Sequence, residues 1–346
     1  MNKKVYIVLL NYNQSHDAIE CLESVLKLKY SNYQIIIIDN SETSHHFNNL
    51  QSWAKGDLNV VETEFKDLIY PLQEKPLSFT NIDEKDFLSN YKDEKILFVK
   101  TEQNKGFAAG NNLALKYILK HGESDSYIWL LNSDTVVDKN VLTDIIFEIN
   151  KGDILDTKII YGTALLEYDN PKKVQSLGGF YHSKTGLTTH LGEGILVNEA
   201  ILNFDKIVEK VSYPVGASMI IKYSDLEKIG LLSEDYFLFY EEIDWVSNAK
   251  LKGGNVKILP VLGIYHKQGN STKSKISKKK SEFIDLVTMS SRITFAKKFN
   301  RKNLVIIYLS ILTLTLGNRI WQRNFKIIPK ILKLVFSKKQ KIKAIE

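Results

Sequence analysis

The chain has little of what marks secreted or disulfide-bonded proteins. Its 346 residues include one cysteine, Cys21, which excludes an intramolecular disulfide and gives no sign of an oxidising compartment. The N-terminal apolar run extends only from Val5 to Leu10, too short for the core of a secretory signal peptide. We therefore interpret this run as a buried strand and expect the protein to remain in the cytoplasm.

Phosphate-binding fingerprints are missing from the glycine-bearing segment NKGFAAGNN, residues 104–112. It lacks the Gly-Lys-Ser/Thr of a Walker motif and the spacing G-x-G-x-x-G. Two interpretations stay open. The segment is either a helix start with close packing at Gly106 and Gly110, or a backbone that passes near a ligand, with the helix N-terminus favouring phosphate.

Composition is that of an ordinary globular protein, with 44% hydrophobic and 25% charged residues. The net charge of +7 is unevenly distributed, because residues 273–346 hold 19 Lys and Arg against three acids, and the remainder has a net charge of −9. A basic C-terminal region on an acidic body suggests nucleic acid or an anionic membrane surface as partner. Since no recognised nucleic-acid-binding motif is present, we expect the membrane surface and no nucleic acid.

Apolar runs that alternate with helical patterns predict a doubly wound α/β sheet. The predicted helices are residues 15–28, with Ser15 or Asp17 as N-cap, and a helix that ends at Gly122. Residues 51–94 lack clear periodicity and are interpreted as an insertion or long loop. The predicted strands are the runs 4–10, 34–40, 95–100, 127–134, 217–222 and 256–266. A short helix is predicted at 224–230, with Gly230 as its cap.

Polar residues follow three of these apolar runs directly. Ligands of doubly wound sheets bind beyond the carboxyl ends of the strands, so these positions are the first candidates for a binding site. They are Asn11, Asn13, Asp39, Asn40, Asn132 and Asp134.

The segment LLNSDTVVD suggests a site for a hard cation. Asp134 stands where the strand should end, and Asn132 supplies an amide oxygen, a ligand type that Mg²⁺ and Mn²⁺ accept. His266, at the end of another predicted strand, could complete the site. Taken singly, an Asp at a strand end is more often a turn residue, and an isolated His is more often structural.

The segment YFLFYEEIDW places Glu241, Glu242 and Asp244 among five aromatic residues. Acids in a first helical turn are favoured by the helix dipole, which is one interpretation. Adjacent carboxylates in an apolar setting should also have raised pKa values, which suits a general base. The sequence alone leaves both interpretations open.

Taken together, these segments resemble the family 2 inverting glycosyltransferases of GT-A fold, and among them the rhamnosyltransferase-like enzymes of bacterial surface polysaccharide synthesis. The resemblance extends from about residue 4 to 300 and is carried by ordered blocks, which are VLLNYNQ, IIIDNSE, NKGFAAGNN, WLLNSDT, GASMII, DYFLFYEEIDW and YHKQGNST.

The resemblance implies a role for each candidate residue. Asp134 would be the principal ligand of Mn²⁺ or Mg²⁺ in an Asp-x-Asp type motif whose first position is Asn here, and His266 would lie near the metal and the diphosphate. Glu242 would be the general base, although the family has Asp at this position, and Asp244 is the fallback base beside Glu241. The expected donor-nucleotide-binding residues are Asn11, Asn13, Asp39, Asn40, Asn104, Gly106, Asn111 and Asn132.

The predicted architecture is therefore a GT-A catalytic domain, residues 1–272, with a basic helical extension, residues 273–346. The expected reaction moves a sugar, for which the resemblance suggests rhamnose, from a dTDP- or UDP-sugar to a glycan or lipid-linked acceptor in capsule, O-antigen or cell-wall polysaccharide synthesis. Residues 303–321 have a 13-residue mostly apolar core, short of the roughly 20 residues that span a bilayer. We expect this region to bind the inner membrane surface peripherally, or to pack as helices on the catalytic domain.

Three other classes of protein compete with this interpretation. A nucleotidyltransferase of sugar phosphates needs a phosphate loop with Gly and basic residues after its first strand, and LLNYNQSHD has neither Gly nor Lys. In a non-catalytic membrane-associated binding protein, the basic C-terminal region would be the main binding element. A hydrolase with paired carboxylates has no use for a metal-diphosphate motif.

Overall fold

A mixed eight-stranded sheet forms the centre of the computed structural model, which describes residues 2–152, 157–267, 278–321 and 324–337. The strands are β1 Val5–Asn11, β2 Tyr33–Asp39, β3 Phe79–Asp83, β4 Ile96–Lys100, β5 Tyr127–Asn132, β6 Thr135–Val137, β7 Ile159–Thr163, β8 Leu165–Glu167, β9 Val174–Ser176, β10 Gly179–Tyr181, β11 Thr188–His190, β12 Ser218–Lys222, β13 Asn255–Leu259 and β14 Ile264–His266.

Helices cover both faces of this sheet and form the C-terminal region. They are α1 Ser15–Val25, α2 Ser44–Lys55, α3 Lys66–Ile69, α4 Glu84–Phe87, α5 Phe107–His121, α6 Val141–Lys151, α7 Val197–Leu202, α8 Phe204–Val208, α9 Tyr223–Ile229, α10 Glu241–Leu251, α11 Lys278–Phe299, α12 Leu304–Ser310, α13 Leu316–Trp321 and α14 Ile328–Phe336. Short 3₁₀ turns Arg301–Asn303 and Phe325–Ile327 and a π-helical turn Ile311–Thr315 complete the C-terminal region.

The strand order of the large sheet is β13-β7-β12-β5-β1-β2-β4-β3. Strands β5, β1, β2, β4 and β3 run parallel, whereas β12 is antiparallel to β5 and β7. All seven residues of β2 are buried, as its continuous β-branched run predicts for a central parallel strand. Alternate residues enter different cores: Ile35 packs on the side of α1 and α2, and Ile36 on the side of α5 and α10.

Two smaller sheets stand beyond the carboxyl ends of the central strands. One has the order β6-β14-β8-β9, and the other is the hairpin of β10 and β11. Because β6 follows β5 after two residues, Asp134 lies in the turn between the large sheet and the first small sheet. His266 is the last residue of β14, and it pairs with Thr135 of β6. The topology thus brings the two predicted metal ligands together.

Several sequence predictions need correction. Helix α1 begins at Ser15 itself, with Gln14 at the N-cap position and no side-chain cap, so neither Ser15 nor Asp17 is the cap. The run 256–266 forms two strands in different sheets, because Pro260 lacks the backbone N–H that would continue the ladder. Segment 51–94 contains α3, α4 and β3, an edge strand that the interpretation as a long loop did not include.

The C-terminal region has its own hydrophobic core, formed by α11 with the helices that follow it. The predicted linker comprises residues 273–282. Its residues 273–277 lie outside the described part of the chain, and α11 begins at Lys278. Helical structure then runs from Arg301 to Trp321, over 21 residues with a mean hydropathy of 1.6, and is long and apolar enough to cross a membrane. The 13-residue apolar core counted in the sequence lies within this longer helical run.

Candidate active site

The carboxyl ends of β1 and β2 are joined by a buried polar network around Asp39. One oxygen of Asp39, Oδ1, accepts hydrogen bonds from Asn11 Nδ2 at 2.7 Å and from Ser41 Oγ at 2.5 Å. The other, Oδ2, lies 3.0 Å from Nζ of Lys100 at the end of β4. Asp39 and Asn11 are both inaccessible to solvent. A buried carboxylate is tolerated here because a cation and two donors surround it.

Two acceptor atoms in this network lack hydrogen-bond partners within the described part of the chain. They are Asn11 Oδ1 and Asp39 Oδ2, the latter having only the ion pair with Lys100. A buried acceptor without a donor costs about 1–3 kcal/mol, so proteins rarely keep one without a reason. A ligand N–H at this edge would satisfy one of these atoms, and the expected nucleobase has such a donor.

The other predicted donor-site residues of this edge connect the same loops. Asn13, in a left-handed conformation with φ 55°, accepts a hydrogen bond from the Glu42 backbone N–H at 3.2 Å. The Asn40 amide donates to Asn104 Oδ1 at 3.4 Å and to the Gly106 carbonyl at 3.3 Å. The structure therefore brings Asn40, Asn104 and Gly106 together beside the carboxyl end of β2.

The segment NKGFAAGNN, at the start of α5, contacts the loop that contains Phe237. The Phe107 N–H donates to the Phe237 carbonyl at 3.0 Å, and Asn104 Oδ1 accepts the Gly106 N–H at 2.9 Å. Gly106 has φ +99°, and a Cβ there would lie 2.2 Å from Phe237 O. Asn111 is buried, and its amide bonds to the Phe107 carbonyl within the helix. The close-packing interpretation accounts for these contacts, and the ligand-binding roles of Asn104, Gly106 and Asn111 stay predictions.

Asp134 and His266 form the second part of the site. Asp134 Oδ1 lies 3.1 Å from His266 Nε2, and Asn132 Nδ2 lies 3.5 Å from the same nitrogen. Burial raises the pKa of the Asp134 carboxyl, but the charge and hydrogen bond of His266 outweigh that effect and leave the pKa below its ordinary value. Asp134 is therefore held as a carboxylate, the form that binds cations.

Gln175 of β9 fixes the tautomer of His266. Its Nε2 donates to the His266 carbonyl at 3.0 Å, which turns its Oε1 toward His266 Nδ1 at 2.7 Å. Since that oxygen can only accept, Nδ1 carries a proton, and Nε2 is the nitrogen that faces the Asp134 carboxylate. That nitrogen and the carboxylate oxygen, 3.1 Å apart, require a proton or a cation between them. The donor set, one carboxylate and one imidazole, fits Mn²⁺ and, less closely, Mg²⁺.

This pair could supply only part of a coordination shell. Within the described residues, no group of three or more His, Cys, Asp or Glu side chains is arranged to hold a metal ion. A divalent cation on Asp134 and His266 would need its remaining ligands from water or a substrate, as is usual where substrate phosphates supply them. The residues present fit a metal that binds together with a diphosphate.

Lys267, next to His266, anchors this strand end in a way that sequence analysis missed. Its ammonium group forms ion pairs with Asp17 and Glu20 of α1, and it lies 4.9 Å from the ring centroid of Tyr168. Burial lowers the pKa of Lys267, but the hydrogen bonds to the two acids outweigh that effect and raise it overall. The backbone N–H of Lys267 donates to the Asp134 carbonyl at 3.0 Å, so this anchor also fixes the Asp134 turn.

The third part of the site is the acid segment, residues 236–244, which ends in the first turn of α10. Phe239 and Tyr240 adopt left-handed conformations with φ 67° and 73°. Each such non-glycine residue costs roughly 1–2 kcal/mol and persists only where its surroundings hold it. The Tyr240 hydroxyl donates to the Gly186 carbonyl at 2.5 Å, and Ser291 Oγ of α11 donates to the Leu238 carbonyl at 2.8 Å. The helix start is therefore held by contacts from outside the sheet.

The strained turn determines where the two glutamates lie. Glu241 is 1% exposed, and its Oε1 has no hydrogen-bond partner within the described chain, whereas Glu242 is partly exposed. Burial, and next the charge of Glu242, raise the pKa of Glu241 well above its ordinary value. Burial also raises the pKa of Glu242, to about 7. Glu242 thus combines solvent access with a pKa close to physiological pH, as a general base requires.

Asp244 points to a different neighbour. Its Oδ2 accepts from the Tyr236 hydroxyl at 2.8 Å and from Lys298 Nζ of α11 at 2.6 Å. Burial raises its pKa, and the hydrogen bonds of Lys298 and Tyr236 offset part of that rise. The carboxylate is 3% exposed and occupied by these two donors. Asp244 therefore ties α10 to the C-terminal region, and Glu242 is the more accessible acid.

The residues that sequence reasoning missed share one property. Gln175, Lys267, Arg292 and Lys298 each act on a partner at least 54 residues away in the chain. For Lys267 a signal was available, because this lysine directly follows the candidate ligand His266 at the end of β14. For the other three, local sequence gives no signal, since their partners are brought to them by tertiary packing.

The model of the family described as "Glycosyl transferase family 2" matches residues 83–212. The chain is 25% identical over 175 residues to the low-salt glycan biosynthesis hexosyltransferase Agl10 of Haloferax volcanii, a match that covers 51% of this chain and 53% of that protein. It is 24% identical over 179 residues to the rhamnosyltransferase WbbL of Escherichia coli strain K12, covering 50% of this chain and 65% of that protein. The matches thus span less than two thirds of the length of either relative.

A solved structure of GalNAc-T7 with UDP, GalNAc and Mn²⁺ superimposes with a TM-score of 0.51 at 13% identity, over 85% of this chain and 50% of that one. This likeness concerns the fold. Together with the strand order, it confirms the predicted doubly wound mixed α/β sheet followed by C-terminal helices.

Proposed function

The chain carries a glycosyl transferase family 2 domain on a GT-A fold, and from this premise we propose that it is an inverting glycosyltransferase. It transfers a sugar from a nucleotide-diphosphate donor to a glycan or lipid-linked glycan. The observation that carries the proposal is the Asp134–His266 pair, where a carboxylate oxygen and the imidazole Nε2 lie 3.1 Å apart at the carboxyl edge of the sheet. We assign residues 1–272 to the catalytic domain and 273–346 to the C-terminal region.

Asp134 and His266 would hold a divalent cation, Mn²⁺ or Mg²⁺, through a carboxylate oxygen and Nε2. Such an ion neutralises the charge that develops on a leaving diphosphate. Gln175 keeps the imidazole in the tautomer that leaves Nε2 free for a ligand. Lys267 holds the Asp134 turn in place through its ion pairs with α1. The GalNAc-T7 structure that shares the fold contains Mn²⁺ and UDP, which supports a metal-bound nucleotide donor.

The nucleobase would bind at the ends of β1 and β2. The unpartnered oxygens Asn11 Oδ1 and Asp39 Oδ2 accept N–H donors, and the N3–H of uracil or thymine is such a donor. A dTDP- or UDP-sugar therefore suits this edge. Rhamnose is the sugar suggested by the resemblance and by the name of the WbbL relative. The setting we propose is capsule, O-antigen or cell-wall polysaccharide synthesis in the cytoplasm.

Glu242 would act as the general base on the acceptor. Its carboxylate accepts the proton of an acceptor hydroxyl while that oxygen attacks the anomeric carbon from the face opposite the diphosphate, so a single displacement inverts the configuration. Burial keeps the pKa of Glu242 near 7. Asp244 is occupied by Tyr236 and Lys298, which supports Glu242 over Asp244 as the base.

The experiment is a thermal-shift series with dTDP, UDP and GDP, each with and without Mn²⁺. A ligand that binds only the folded state raises stability by RT ln(1 + [L]/Kd), so even weak binding is measurable. We expect a Mn²⁺-dependent increase in Tm with dTDP or UDP. No increase with any of the three nucleotides, from protein shown to be folded, would contradict the proposed donor site.

A further inference from the structure

The outer face of the C-terminal helices is exposed and apolar. Val305, Ile306 and Leu309 are 73%, 47% and 55% exposed, and their spacing of one and four residues places them on one face of α12. Further along, Trp321 is 82% exposed. We name as the apolar face the residues Val305, Ile306, Leu309, Leu314, Ile320, Trp321 and Phe325. Exposed apolar residues scattered singly are ordinary, but so many within 21 residues mark a surface that is covered in use.

Charge indicates what covers this face. Residues 303–318 carry no charged side chain, and residues 286–345 contain no Asp or Glu. Exposed cations stand at both ends of the apolar face, Arg301 and Lys302 before it and Lys326, Lys330 and Lys333 after it. Lys330 forms an ion pair with Glu282 of α11, and the other cations border an apolar stripe that complements the acyl chains and anionic headgroups of a lipid surface.

A second copy of the chain fits this face poorly. In a symmetric dimer the same patch meets itself, so the cations at the ends of one apolar face would approach those of the other. Residues 286–345 hold no acidic side chain to relieve that repulsion, and Glu282 and Asp285 of α11 are already paired with Lys330 and Arg319. The exposed Trp321 indole, which has an apolar body and one N–H donor, suits the boundary between acyl chains and headgroups.

The inner face of the same helical segment, residues 301–321, packs against the rest of the protein. Ile307 and Ile311 are fully buried against α11. Arg292 of α11 is 3% exposed, and its guanidinium group donates to Ser310 Oγ and to the Thr185 carbonyl. If residues 301–321 entered a bilayer as a spanning helix, the buried guanidinium would lose Ser310 and those isoleucines would leave their core. The attached inner face therefore favours a helix that lies in the membrane plane.

We propose that the apolar face docks in the plane of an anionic lipid surface, with its basic ends at the headgroups. Arg292 holds the Thr185 carbonyl, and Tyr240 of the acid segment holds the Gly186 carbonyl. The docking helices and the acid segment thus contact the same short turn, which joins β10 and β11. If the proposed function is right, on which this last step rests, the acceptor is membrane-borne and is met at headgroup height.

The test is co-sedimentation of the full chain with vesicles of phosphatidylcholine alone and of phosphatidylcholine with phosphatidylglycerol. We expect binding to the anionic vesicles that weakens as salt is raised. The double variant Ile306→Glu/Leu309→Glu should lower the vesicle affinity by about tenfold or more, because two apolar side chains no longer leave water. Leu202→Glu is the matched control, since Leu202 is 85% exposed on α7, and it should bind as the unaltered protein does.

A second variant keeps the test decisive if the first fails to fold. Lys326→Gln/Lys333→Gln changes exposed cations only and should lower the affinity about fivefold for each lysine. Vesicle binding that is unchanged in both double variants, or absent from folded protein, overturns the proposal. Bound protein that resists alkaline carbonate extraction indicates a spanning helix and overturns it too. A lipid-free dimer that Ile306→Glu/Leu309→Glu dissociates assigns the face to a second copy instead.

This readout is independent of transfer. Vesicle binding with no nucleotide-dependent increase in Tm would leave the docking face intact and remove the proposed function. A nucleotide-dependent increase in Tm without vesicle binding would support the proposed function and overturn the docking proposal.

Discussion

The metal edge and the acid segment of the candidate active site are built in different ways. Asp134 stands in the two-residue turn between β5 and β6, and the backbone N–H of Lys267, which follows β14, holds that turn. Glu242 follows two left-handed residues, and the hairpin, α5 and α11 hold that turn. The comparison teaches that the sheet positions the expected donor ligands, whereas the acid that would meet the acceptor depends on contacts from the periphery.

Removing the Glu242 carboxylate should have the largest effect and should leave the metal edge untouched. Glu242→Gln keeps the shape but cannot accept a proton, so we expect transfer to fall about 10²–10⁴-fold. Incorporation of labelled sugar into the membrane fraction measures this. Asp244→Asn is the companion variant. Loss of transfer in Asp244→Asn with full transfer in Glu242→Gln would move the base to Asp244.

The strain of the acid segment can be tested at the glycine that supports it. Gly106→Ala adds a Cβ 2.2 Å from Phe237 O at φ +99°, so we expect a loss of about 3 kcal/mol in the free energy of unfolding, with reduced transfer. Gly194→Ala is the control, because Gly194 also has a positive φ, +79°, but nothing lies within 4 Å of the added Cβ. It should lose only about 1 kcal/mol, the backbone cost alone. Urea unfolding compares the two variants, and equal losses would show that the contact with Phe237 is unimportant.

The metal edge should respond to a change that leaves both ligands in place. Gln175→Leu frees His266 to change tautomer, and loss of such a partner weakens metal binding by about 10–100-fold. Titration with Mn²⁺ monitored by electron paramagnetic resonance measures the affinity directly. Gln103→Leu, in the exposed loop after β4, is the control for the loss of a glutamine. An unchanged Mn²⁺ affinity in Gln175→Leu would contradict the assigned tautomer.

The pH dependence should also separate the two parts. Because burial raises the pKa of Glu242 to about 7, its base form is lost as the pH falls through 7, and kcat/KM should drop about tenfold per unit below that. Stability has the opposite sign. A glutamate whose pKa is raised by folding contributes stability at low pH that is lost between its unfolded value near 4.5 and about 7. Glu242→Gln should therefore reduce the fall in Tm between pH 5 and pH 8, and an unchanged fall would contradict the raised pKa.

The smallest effect is expected at the contact between α10 and α11. Lys298→Met removes one of the two donors to Asp244 Oδ2 and leaves the Tyr236 hydroxyl. Because the Lys298 side chain is 40% exposed, the loss in the free energy of unfolding should be about 1 kcal/mol. Lys302→Met, at an exposed lysine just after α11, is the control in urea unfolding. Equal losses in the two variants would show that the ion pair with Asp244 adds nothing.

The sheet and its polar edge could be predicted because their signals are local. Asp39 and Asn132 end their apolar runs and Asp134 follows two residues after β5, and parallel strands bring such ends to one edge. The edge strand β3 was missed because its sequence, FTNID, is largely polar and pairs on one side only. At residues 256–266, Pro260 was the available signal for a break that the prediction overlooked.

The support of the acid segment could not be predicted, for a physical reason. Asp244 and Lys298 are 54 residues apart, and Tyr240 and Gly186 are equally far apart along the chain. The sequence shows that the acids lie among aromatic residues, which indicates burial and a raised pKa. It does not show that Phe239 and Tyr240 are left-handed, because that strain depends on the packing of α5, the hairpin and α11.

The most direct measurement compares Asp134→Asn and Glu242→Gln by thermal shift with UDP or dTDP in the presence of Mn²⁺. The account predicts that Glu242→Gln keeps the full nucleotide-dependent increase in Tm, because the base contacts the acceptor, and that Asp134→Asn loses it. A full increase in Asp134→Asn, or its loss in Glu242→Gln, would contradict the separation of a metal-bound donor from the acid that serves the acceptor.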